Sequence, residues 1–189
     1  MRGRHAPNLP APLSVKAGLA AGLMLVVTGA CRPSEPAPPD RLTACEIVGR
    51  TEIARILERR VGAPDESSGA ATDNLAGRSG CAWSSADARM AVLIELVRTG
   101  DMATSVRRTG FSAAARFAAV RNGHPDADQP AIDGAEAIYV EETASLHVLA
   151  GRSYVTIEVA ATPPSIVRAI AVEIAVSAVA RLSQTDATD

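Results

Sequence analysis

Residues 145–160 read Ser-Leu-His-Val-Leu-Ala-Gly-Arg-Ser-Tyr-Val-Thr-Ile-Glu-Val-Ala, and their pattern decides the fold. Two runs rich in β-branched and aromatic residues flank Ala150-Gly151-Arg152-Ser153, a tight-hairpin signal. The second run alternates: Val155, Ile157 and Val159 point one way, and Tyr154, Thr156 and Glu158 the other. A third strand is expected just upstream at 136–140. Consecutive strands joined by short turns imply an antiparallel sheet with helices on one or both faces.

Downstream, Thr162-Pro163-Pro164-Ser165 opens a closing helix, with its prolines in the first turn where no hydrogen bond is lost. The helix is expected to run to about Leu182. Ile166, Val167, Ile170, Ile174 and Val179 supply its apolar face, and Arg168, Glu173, Ser177 and Arg181 a polar stripe. Those charges argue against a membrane span.

Upstream, 124–133 reads as a loop and 112–120 as an Ala-rich helix carrying Phe117. Strands are expected at 81–84 and 90–97, joined by a turn near Ala86-Asp87, the second strand having one wet edge. Residues 101–108 carry no clear signal. Residues 65–80, rich in Asp, Ser, Gly and Asn, read as a loop with room for one short strand. Residues 45–60 read as helix with Ile53, Ile56 and Leu57 on one face. Gly49 interrupts it, so a separate turn at 45–48 precedes a helix proper from Arg50. The order is helix, two strands, helix, three strands, helix. That is α+β: an antiparallel sheet of about five strands packed with three helices.

Residues 1–30 have another character. Arg2, Arg4 and Lys16 precede an apolar run from Ala17 to Val27, too short to span a bilayer as a helix and of the length of a secretory leader's core. Val27-Thr28-Gly29-Ala30-Cys31 resembles the lipobox of bacterial lipoproteins. The resemblance implies cleavage between Ala30 and Cys31 and acylation of Cys31, although Thr28 stands where leucine is commonest. The alternative is a plain signal peptide with Cys31 incidental. Two or three acyl chains anchor stably where one is marginal. Four prolines among residues 32–40 make a spacer of the extended polyproline kind. The expected organisation is leader 1–30, lipidated cysteine and tether 31–40, domain 41–183 and tail 184–189.

Without the leader, 16 bases face 21 acids. An acidic chain is a poor partner for phosphate backbones, so nucleic acid is excluded as a ligand. Removing Cys31 from the count leaves Cys45 and Cys81. In an oxidising compartment an even pair suggests a disulfide, worth about 3–4 kcal/mol for this loop length in the entropy model. Two buried free thiols or a redox pair are the alternatives, the last disfavoured by the missing Cys-x-x-Cys spacing.

Four short motifs stand along the domain: Cys45-Glu46-Ile47-Val48, Cys81-Ala82-Trp83, the Pro-x-x-Gly-like segment from Pro130 to Ala137, and Gly151-Arg152-Ser153-Tyr154-Val155. Together they resemble a family of small secreted lipoproteins from high-G+C bacteria. The resemblance covers about residues 41–183 and departs from the pattern at Gly49 and at Asp133-Gly134. It implies a sandwich of the PsbP-like kind and brings no catalytic residues.

The chain lacks the patterns that catalysis or metal binding normally writes into a sequence. Ser84, His147 and Asp133 are a conceivable triad, but no Gly-x-Ser-x-Gly turn supports it, and His147 reads as an ordinary strand residue. Asp126, Asp128 and Asp133 lack a calcium loop's spacing. Arg50, Arg55, Arg59 and Arg60, interleaved with Glu52 and Glu58, read as a salt-bridged helix face more than a surface for anionic lipid. Trp83 reads as core packing. No cofactor is expected beyond the covalent lipid. The expected role is a non-catalytic binding or interaction module of the cell envelope. Its partners would be the membrane, through the lipid, and an envelope protein; an envelope enzyme or a carrier of a small apolar ligand in a cleft between sheet and helices is the alternative. Arg32 is not the Asp that commonly retains such proteins at an inner membrane.

Overall fold

Two short helices open the fold: α1 (Ala44–Ile47) and α2 (Arg50–Ile56). The computed structural model describes residues 42–65 and 76–186. The leader, Cys31, the whole tether, residues 66–75 and the last residues of the tail lie outside the described residues. In α1 the backbone N–H of Thr43 donates to the Glu46 carboxylate at 2.8 Å, satisfying a donor at the helix start. Gly49 caps α2 from an extended conformation, so the break expected at this glycine is the boundary between two helices.

The sheet follows: β1 (Arg78–Ser84), β2 (Met90–Arg98), β3 (Glu136–Val140), β4 (Ser145–Ala150) and β5 (Ser153–Ala161). Every pairing is antiparallel, in the order β1-β2-β5-β4-β3. β2 is therefore an interior strand, not one with a wet edge. In the β4–β5 hairpin Ala150 pairs with Ser153. Gly151 takes the positive φ of 54° that a tight two-residue turn requires at its first position. Both sheet edges are covered by short strips, Asp65 bridging Ala82 and Asp128 bridging Tyr139, which blunts them against pairing with other chains.

Helices cover both faces. α5 (Val167–Asp186) packs on β4 and β5, with α1 and α2 beside it. Between them and the sheet lies the main core, with Trp83, Ile53, Ile94, Leu146, Ile157 and Ile174 each under 2% exposed. The disulfide Cys45–Cys81, Cα atoms 5.2 Å apart, ties α1 to β1 within this core. On the other face, α4 (Ala113–Gly123) sets Phe117 against Tyr154, Ile138 and Val97 in a second, smaller cluster. Ser112 caps α4 by accepting the Ala115 N–H at 3.1 Å. The silent stretch before it holds a 3-10 turn and α3 (Thr104–Arg107).

One residue of the expected apolar face of α5 is out of place. Val167, Ile170, Ile174 and Val179 are buried, but Ile166 is 36% exposed. It belongs to a 3-10 turn (Pro164–Ile166) that precedes α5, so its side chain follows another periodicity. Among the described residues no helix is long and apolar enough to cross a membrane.

Candidate functional site

Side chains at 145, 147, 154 and 156 leave the α4 side of the sheet, because strand residues alternate. The register sets His147 opposite Thr156, and Thr156 opposite Glu95. A polar row results, in a sheet whose other face is apolar. The Ser145 hydroxyl lies 2.9 Å from His147 Nε2, and His147 Nδ1 lies 2.7 Å from the Tyr154 hydroxyl. Thr143 extends the row, its hydroxyl 2.6 Å from that of Ser145. Arg116, from α4, stands 5.7 Å from the Tyr154 ring centre and pairs with Glu95, which also accepts from Arg78.

A guanidinium can only donate, so next to Arg116 the Tyr154 oxygen serves as acceptor, and its own proton can go to Thr156 or to His147 Nδ1. In the tautomer that accepts from Tyr154 at Nδ1, Nε2 donates to Ser145, whose hydroxyl proton then goes to Thr143. Burial, followed by the nearby His124 and Arg116, pushes His147 down to about 4. The ring is thus neutral at neutral pH.

Chemically this is a serine beside an imidazole, the elements of a nucleophilic pair. Two features stand against catalysis. Ser145 is only 2% exposed, so no substrate carbonyl can reach its oxygen. An imidazole that protonates near pH 4 is a weak base for a hydroxyl. The row ties β4 to β5 through ordered hydrogen bonds.

The three residues weighed as a triad are not assembled. Ser84 lies on β1 and His147 on β4, three strand spacings or roughly 14 Å apart. Asp128 accepts from Arg168, its Oδ2 2.8 Å from Nε, and among the described residues no group of three His, Cys, Asp or Glu could hold a metal. Three of the four arginines weighed as a basic face are engaged: in α2, Arg50 donates to the Val61 carbonyl at 2.8 Å and Arg55 pairs with Glu52 and Glu173, and beyond it Arg59 pairs with Asp87. Glu173 and Ser177 of the α5 polar stripe thus face α2, Ser177 donating to Glu52 at 2.8 Å. Arg55, then Ser177, holds the Glu52 carboxyl down at about 2. Trp83 is 1% exposed and packs beside the disulfide, as expected.

A separate concavity lies elsewhere. A groove of about 660 Å3 opens where the 123–128 segment, the β3–β4 turn and the start of α5 meet. Asp126, Asp128, Glu141, Glu142, Tyr139 and Arg168 line it. The two aspartates fall in the loop expected at 124–133, whereas no site role was expected for Tyr139 or the two glutamates. Only pairing of β3 with the loop before it, through the Tyr139 N–H to the Asp128 carbonyl at 2.7 Å, brings them together. Compared with known proteins, the chain matches no family model, no curated protein and no solved structure.

Proposed function

We propose that the chain is an extracytoplasmic lipoprotein, cleaved after Ala30 and acylated at Cys31, whose domain serves the cell envelope as a non-catalytic binding or interaction module. The observation that carries this reading is the Cys45–Cys81 disulfide. Such bridges persist outside the reducing cytoplasm, and this one follows a segment with the form of a secretory leader. The remaining cysteine is the one that stands at the end of that leader. Binding is favoured at the rim, where the groove is, over the helix–sheet interfaces, which are filled by Trp83, Phe117 and the aliphatic core. That packing weighs against a carrier of apolar ligands. Replacing Cys31 tests the anchor: in an expressing bacterium the wild type should sediment with membranes, and Cys31→Ala should appear in the soluble exported fraction. A Cys31→Ala chain that stays with membranes contradicts the reading.

A second reading, an envelope hydrolase, draws on the 2.9 Å contact between Ser145 and His147. It requires the site to open. A fluorophosphonate probe that labels wild type but not Ser145→Ala would establish it; the buried geometry predicts no labelling.

A further inference from the structure

The groove beside β3 carries more charge than its own residues neutralise. Asp126, Glu141 and Glu142 are exposed on its rim, and none of them makes an ion pair or side-chain hydrogen bond among the described residues. Arg168 is already committed to Asp128. Three carboxylates are therefore in excess on one concave surface.

Acidic rims are common and usually only solvated; Tyr139 distinguishes this one. The residue is 8% exposed, its ring packs in the main core, and it also lines the groove. Its hydroxyl has no hydrogen-bond partner among the described residues. The ring is buried, but the hydroxyl is open to the groove, so the groove's contents, water or a ligand, supply its partner. Burial, then the charge of Glu141, pushes its pKa up, so it stays a neutral hydroxyl able both to donate and to accept.

We infer that this groove binds an organic cation, its alkylammonium or guanidinium group held by Asp126, Glu141 and Glu142 while the Tyr139 oxygen accepts one of its N–H bonds. The volume is that of a small-molecule site. The carboxylates are not gathered as a bare metal ion would need, whereas an extended cation with several N–H donors can reach separated acceptors. The inference deepens the binding-module reading and rests on it. The anchor is tested separately, by localisation, so either can fail without the other.

The test is calorimetric titration of the full chain in detergent with spermidine and with agmatine, at low salt and at about 0.15 M. One saturable site is expected, retained at the higher salt. Tyr139→Phe, which keeps the ring and removes the hydroxyl, should weaken it about fivefold. Glu141→Gln with Glu142→Gln, both at exposed positions, should weaken it at least about tenfold. Glu58→Gln, away from the groove, should change nothing. Absence of binding to both amines overturns the inference. So does an equal loss from Glu58→Gln, or a Tyr139→Phe protein that binds as well as wild type, since either result means diffuse surface charge. Should Tyr139→Phe fail to fold, the Glu141/Glu142 pair set against Glu58→Gln decides.

Discussion

His147 contacts Tyr154 and Ser145 through its two ring nitrogens, and burial, followed by the nearby His124 and Arg116, disfavours the protonated ring. Its folded pKa, about 4, lies below the ordinary 6.5. Between those values the unfolded chain binds the extra proton, so stability is complete above about pH 6.5 and declines as pH falls toward 4. Partial exposure of the ring limits the loss to about 1–2 kcal/mol. Urea unfolding across that pH range should show it, and His147→Gln should flatten most of the slope; an unchanged slope would mean that other groups control it. The alternation of 145–160 made the placement of these side chains on one face legible. Their meeting depends on cross-strand register, which a single strand does not encode.

Among the elements, β3 and β4 fall on the residues expected from their β-branched content and flanking turns, and α5 follows its apolar period. β1 begins three residues earlier than 81–84, since Arg78, Ser79 and Gly80 carry no strand preference and are extended by pairing with β2. The covering of the sheet's second face by α4 was likewise beyond one strand's pattern: the alternation sets Tyr154 and Thr156 opposite Val155 and Ile157, and both are buried. Two predictions belong here. Gly77 has φ of 62° and passes so close to β2 that an added Cβ would meet the Arg98 carbonyl oxygen at 2.5 Å. Gly77→Ala should therefore cost about 2–3 kcal/mol in denaturant unfolding; a loss below ~0.5 kcal/mol would show that the turn relaxes. Replacing Cys45 and Cys81 together by serine frees α1 from β1 and should cost about 3 kcal/mol, with the disulfide-reduced wild type matching the double variant.

For the whole molecule, α+β order and a disulfide-tied core were readable from element sequence and cysteine count. The groove was not, because it is assembled from a loop, a turn and a helix start whose proximity only the folded sheet creates. The account joins two claims about compartment: a lipid at Cys31 and an oxidised pair in the domain. Intact-mass analysis of the membrane-extracted protein, alkylated before and after reduction, tests both at once. The predicted result is a chain beginning at acylated Cys31, with Cys45 and Cys81 alkylated only after reduction. A chain that retains residues 1–30, lacks acyl mass, or alkylates Cys45 and Cys81 without reductant would contradict it.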